Sequence, residues 1–150
     1  MKNVKIFQHD ISKGAVDNLG LDNGTISGII TSPPYLCMAD YTLGQRLSYL
    51  WLYPDKLNED YVNEIGARRT RGQKGPVLDE YFSQMRSFAR NSAILLKSNG
   101  FLATVIGEPS AEAFKDKKIL GKLDEIFKEE GYNLFWETNR PISLSIPIHI

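Results

Sequence analysis

One four-residue run holds the residue types that chemistry on a ring amine needs: Ser32-Pro33-Pro34-Tyr35. A hydroxyl comes first, two residues of fixed φ follow, and an aromatic ring ends the run. An exocyclic ring amine is a poor nucleophile, because its lone pair is delocalised into the ring. Acceptors that hold both amine protons favour the tetrahedral geometry in which that lone pair becomes available. The Ser32 hydroxyl and a nearby backbone carbonyl can be those acceptors, and proline aims the carbonyl in advance. Tyr35 can stack on a planar base taken out of its duplex. The plainer reading of the same residues is a strand followed by a proline turn. The chemistry needs no covalent enzyme intermediate, so Cys37, the one cysteine, reads as a small apolar packing residue.

A strand must deliver this run. Thr25 to Thr31 (TISGIIT) is rich in β-branched residues and reads as a strand buried on both faces. Two prolines end it at once. Upstream, Val4 to Phe7 alternates and reads as a short strand, followed by Asp10 and a helix over 11–19. Downstream, Leu43 to Tyr53 has helical spacing, with Leu43, Leu47, Leu50 and Trp51 on one side. Trp51 and Trp136 are expected in the core. Gly66 to Gly75 carries Arg68, Arg69, Arg71 and Lys74 without apolar periodicity and reads as a mobile surface loop. The clearest helix covers 77–97, where Leu78, Tyr81, Phe82, Met85, Phe88, Ala89 and Leu96 recur every three or four residues and Asn99-Gly100 stops it. Phe101 to Ile106 reads as a strand broken at Gly107-Glu108-Pro109-Ser110. Ile119, Leu120, Leu123, Ile126 and Phe127 define another helix, followed by strands at 132–137 and 142–148.

Alternating strands and helices predict an α/β fold with a mostly parallel sheet and helices on both faces. Ligands sit at the carboxyl ends of strands in such sheets. Asp10, Ser32 to Tyr35 and Glu108 all fall at those ends. The 150 residues suit one domain, and 42% apolar with 24% charged residues excludes a disordered chain. Eighteen cations balance eighteen acids, so a grip on nucleic acid would have to come from a local patch. No apolar run reaches the roughly 20 residues that span a bilayer, and no signal peptide opens the chain. A cytoplasmic protein without a membrane partner is expected. His9 and His149 have no ligand pattern around them, so no metal site is expected.

Thr31-Ser32-Pro33-Pro34-Tyr35 after a hydrophobic strand resembles the catalytic motif of DNA amino-methyltransferases. These enzymes modify cytosine N4 or adenine N6 with S-adenosylmethionine. The resemblance continues through Asp40-Tyr41, Arg46-Leu47-Ser48, Trp51-Leu52, Ile65-Gly66-Ala67-Arg68-Arg69, Leu95-Leu96-Lys97, Val105-Ile106-Gly107-Glu108 and Asn139-Arg140, about residues 5–142 in all. It implies a partial Rossmann-like methyltransferase sheet, with residues 1–150 as one catalytic half-domain. It implies catalytic roles for Ser32, Pro33, Pro34 and Tyr35, and cofactor contacts from Asp10, Ser32 and Glu108. Asp10 is equally suited to cap the helix after it. Tyr41, Arg46, Arg68, Arg69, Arg71, Lys74 and Arg140 are candidates for nucleic-acid contact, and solvated or structural roles are open for each. Serine in the first motif position leans toward cytosine.

The chain departs from the family in lacking the usual acid at Ser27 or Gly28, in carrying His9 before Asp10, and in having no glycine-rich cofactor loop. A companion chain or domain carrying that loop is therefore expected, together with association through an open sheet edge. The alternatives are a non-catalytic nucleic-acid-binding remnant and a methyltransferase acting on RNA bases or protein glutamine.

Overall fold

The computed structural model describes residues 4–7, 9–13, 20–64, 66, 67, 69, 74–107, 109, 114 and 118–139. Strand β1 (Ile26–Thr31) pairs in parallel with β2 (Leu96–Thr104). Between them in the chain lie α1 (Tyr41–Gly44), α2 (Arg46–Leu52), α3 (Leu57–Asn63) and the long α4 (Lys74–Leu95). Helix α5 (Ile119–Glu129) follows β2. The fold is therefore mixed, with a two-stranded parallel sheet and helices.

The periodic apolar residues of α4 and α5 make the core. Leu78, Tyr81, Met85 and Phe88 on α4 cluster with Ile119, Leu123 and Ile126 on α5, joined by Leu36, Cys37, Val77 and Phe114. Side chains at these intervals lie on one helical stripe, so two such stripes can bury each other. Cys37 packs there as an apolar residue. Asn91 Nδ2 donates to the Ile11 carbonyl at 2.7 Å and ties the N-terminal turn to α4.

Charge ties the two helices together at one end. Arg90 donates to Glu130 through Nε at 3.0 Å and Nη2 at 2.9 Å, and Arg86 reaches the same carboxylate at 3.5 Å. The Arg90 hydrogen bonds hold the Glu130 carboxyl below its usual value, against the opposing effect of burial. A carboxyl depressed in the folded state contributes stability above its unfolded value and loses it as pH falls through the folded one. Thermal melts between about pH 6 and pH 3 are expected to show a shallower loss of stability in Glu130→Gln than in the parent chain. Equal slopes would contradict this.

Several sequence expectations are corrected. Helix α4 ends at Leu95, four residues before Asn99-Gly100, and β2 begins at once. Ile26 pairs with Leu96, whereas Gly28 pairs with Phe101, so the Lys97–Gly100 stretch bulges out of the ladder. Val4–Phe7 and the 132–137 segment are not strands. Leu134, Phe135 and Trp136 are exposed, and among the described residues no strand pairs with them. Trp51 is 90% exposed and α2 buries none of its residues, so its apolar side has no covering layer. Of the helix expected over 11–19 the described residues hold one 3-10 turn, Ile11–Lys13, and residues 14–19, like the strand expected over 142–148, lie outside them.

The open face of the sheet is apolar. Ile30, Phe101 and Val105 are exposed, whereas Leu102 and Ile106 pack against the core. A Cβ at Gly28 would lie 2.4 Å from the Phe101 ring. The aromatic ring thus occupies the space that a side chain at Gly28 would need. No helix among the described residues is long and apolar enough to cross a membrane.

Candidate functional site

Parallel pairing puts the carboxyl ends of β1 and β2 at one edge of the sheet. The Val105 N–H donates to the Thr31 carbonyl at 3.1 Å, which extends the pairing to the first motif residue. From there the chain turns through Ser32-Pro33-Pro34-Tyr35. The Tyr35 ring meets the segment after β2: a Cβ at Gly107 would stand 3.3 Å from Tyr35 Cδ2 and 3.0 Å from Met38 Sδ. Gly107 is therefore what lets the ring lie this close.

An open cleft of about 250 Å³ is lined by Ser32, Pro33, Pro34, Tyr35 and Tyr41. Two phenol rings and a hydroxyl thus converge where the two strands end. Ser32 is exposed, whereas Pro33 is buried beneath it. The carbonyls of this corner divide into two groups. Thr31 accepts from Val105, Pro34 from the Tyr81 hydroxyl at 3.4 Å, and Tyr35 from the Met38 N–H at 3.5 Å. Among the described residues, the Ser32 hydroxyl and the carbonyls of Ser32 and Pro33 have no hydrogen-bond donor.

The segment from Asp60 to Arg69 holds this corner from behind. The Cys37 N–H donates to the Gly66 carbonyl at 2.6 Å, with Cys37 at φ 54° and Gly66 at φ 62°. A Cβ on Gly66 would lie 3.2 Å from Leu36 Cα and 3.3 Å from Tyr81 Cδ2. Left-handed backbone and close approach both demand glycine here. Gly66→Ala is expected to destabilise the chain by about 2 kcal/mol, read as a lower urea midpoint with an unchanged slope. An unchanged midpoint would remove this buttress from the account.

Arg69 is the hub of that segment. Its backbone N–H donates to Asp40 Oδ1 at 2.9 Å, and its Nη1 to Glu64 Oε2 at 3.0 Å and Asp40 Oδ1 at 3.4 Å. Nη2 donates to the Tyr61 carbonyl, and the guanidinium lies 3.7 Å from the centroid of the Tyr61 ring. Its side chain is 19% exposed. Glu64, 7% exposed, also accepts from the Tyr41 N–H at 2.6 Å and the Thr42 N–H at 3.2 Å. The carboxylate thereby satisfies two free donors at the start of α1 and fixes the backbone that carries Tyr41. Neighbouring Ala67 is buried, so Gly66, Ala67 and Arg69 are packed, unlike the mobile loop expected over 66–75, of which residues 68 and 70–73 lie outside the described residues. One acid on Arg69, Glu64, lies five residues away in the chain, and the other, Asp40, is brought in by the fold from 29 positions away.

Tyr81 was read as a core residue, and it is one, at 1% exposed. Its hydroxyl beneath Pro34 went unseen in the sequence, because a buried phenol and a buried phenyl leave the same periodic signal. Burial pushes the Tyr81 phenol up to about 12, with the Tyr41 hydroxyl adding to the rise. It therefore remains a hydrogen-bond donor throughout the neutral range.

The other expected site residues are placed as follows. Asp10 Oδ1 accepts from the Ser12 N–H at 3.0 Å and the Ser12 hydroxyl at 2.7 Å, so it caps the turn over Ile11–Lys13. It does not line the cleft. Arg46 is exposed at the start of α2. Lys74 opens α4, and its side chain lies outside the described residues, as do Glu108, Arg68, Arg71 and Arg140. Among the described residues no three metal-ligating side chains come together. Comparison of the chain with protein-family models, with curated proteins and with solved structures finds no match.

Proposed function

We propose that this chain binds a nucleobase swung out of DNA and presents its exocyclic amine, cytosine N4 or adenine N6, for methylation. The observation that carries the reading is the cleft. It combines two aromatic rings, a free hydroxyl and free carbonyls at the carboxyl edge of a parallel strand pair. Tyr35 stacks on the base face, and Tyr41 closes the opposite side. The Ser32 hydroxyl and a free backbone carbonyl accept the two amine protons, which draws the lone pair out of conjugation. The prolines hold these acceptors in place before the base arrives, so little reorganisation is left for the reacting state.

S-adenosylmethionine supplies an electrophilic methyl group when bound. The described residues do not form a cradle for it, since Asp10 caps its own turn and the cleft walls carry no carboxylate. We assign donor binding to a companion chain or domain that adds strands at the open edge of the sheet and covers its apolar face of Ile30, Phe101 and Val105.

Labelled methyl transfer to DNA, followed by digestion to nucleosides, tests the reading. The chain is combined with a second polypeptide that carries a glycine-rich donor loop. Label in N4-methylcytosine or N6-methyladenine is expected, and label in neither would overturn the proposal. The engaged Asp10 favours one other reading, a base-binding module without catalysis. It predicts oligonucleotide binding with no donor uptake in calorimetry under any combination.

A further inference from the structure

The diproline corner has one soft torsion, and α4 controls it. Ring closure fixes φ of Pro33 and Pro34. A following proline confines Ser32 and Pro33 to extended ψ. Rotation about ψ of Pro34 is what remains before Tyr35. That rotation swings the Pro34 carbonyl, and with it the direction in which the chain leaves toward the Tyr35 ring. The Tyr81 hydroxyl donates to this carbonyl at 3.4 Å. Tyr81 itself is immobilised: it is 1% exposed in the core cluster, and its ring abuts Gly66.

We infer that Tyr81 is a positioning residue, which holds the Pro34 peptide plane turned inward and so sets the stacking angle of Tyr35. The inference rests on the base-binding reading above. It adds a residue 46 positions from Tyr35 that never touches the base. At 3.4 Å the hydrogen bond is long and therefore weak, which sets the modest size of the effect expected from its removal.

Tyr81→Phe keeps the ring and removes only the donor. A single-stranded oligonucleotide carrying 2-aminopurine reports stacking through quenched fluorescence. Tyr81→Phe is expected to weaken binding about three- to five-fold and to relieve part of the quenching. Its thermal midpoint should stay within about 5 °C of the parent. Replacing Tyr81 with 4-aminophenylalanine, which restores a donor at the same place, should recover the parent affinity within about two-fold.

The decisive arm is a double-mutant cycle. If Tyr81 acts through Tyr35, adding Tyr81→Phe to Tyr35→Ala has no further effect. Parent-like binding by Tyr81→Phe, additive losses in the cycle, or loss of the fold in Tyr81→Phe would each overturn the inference. A parent chain that leaves 2-aminopurine unquenched, or a Tyr35→Ala variant that binds like the parent, would instead overturn the base-binding reading itself.

Discussion

Arg69→Ala is expected to destabilise the chain by about 3 kcal/mol. The guanidinium bridges Asp40 and Glu64, whose carboxylates are mostly or wholly out of solvent. Removing it takes away the one cation that both carboxylates share and leaves them, among the described residues, only their backbone N–H donors, and truncation of a largely buried ion pair is costly for that reason. The change also releases Glu64 from its clamp on the first N–H groups of α1, so Tyr41 loses its fixed place beside the cleft. Arg69→Lys should recover only part of the loss, since an ammonium cannot reproduce the planar fork or the stacking on Tyr61. Urea unfolding measures both variants. A cation that serves DNA phosphates predicts the opposite pattern: unchanged stability and a salt slope lower by about one. Parent-like unfolding of Arg69→Ala would return this residue to the nucleic-acid surface.

Tyr35→Ala and Ser32→Ala are expected to leave the fold intact and to remove most methyl transfer in the presence of the donor-binding companion. Loss of one base–aromatic stack costs about 1–3 kcal/mol, which corresponds to a roughly 5- to 150-fold weaker grip on the base. Ser32→Ala removes an acceptor that matters most when the amine turns tetrahedral, so its effect should fall on kcat, by about a hundred-fold. Tyr35→Ala should fall mainly on substrate binding. The two variants therefore separate in kinetics even where their overall losses agree. Ser32 is exposed and Tyr35 is half-buried beside Gly107 at the sheet edge, outside the core cluster, so neither change opens a core cavity.

The parts of the fold that rest on local periodicity were readable in the sequence. The apolar stripes of α4 and α5 repeat every three or four residues, and each stripe found the other. Strand β1 was marked by its β-branched run and ended where the prolines forbid a ladder. The same logic misplaced α2. Spacing of Leu43, Leu47, Leu50 and Trp51 shows that a helix has an apolar side, and says nothing about whether a layer exists to cover it. Asn99-Gly100, read as the stop of the helix, lies instead in the irregular stretch of β2, four residues past the helix end.

Long-range polar contacts left no local trace. Arg69 meets Asp40 across 29 positions, and Tyr81 meets Pro34 across 47. Neither distance has a pattern that a window of neighbouring residues can hold. A cluster of cations between glycines looks the same whether it faces solvent or closes on distant acids. The corner itself was legible because its stiffness is covalent, a property of proline rather than of any partner.

Photo-crosslinking tests most directly whether the corner receives an extruded base. An oligonucleotide with one 5-iodocytosine is irradiated with the chain, and the adducts are mapped by peptide mass spectrometry. Halogenated pyrimidines couple to aromatic rings in stacking contact, and this protein displays exposed rings far from the corner in sequence, such as Trp51 and Phe135. Adducts confined to Tyr35 and Tyr41 are the predicted result. Adducts at Trp51 or Phe135 with none at Tyr35 would contradict it.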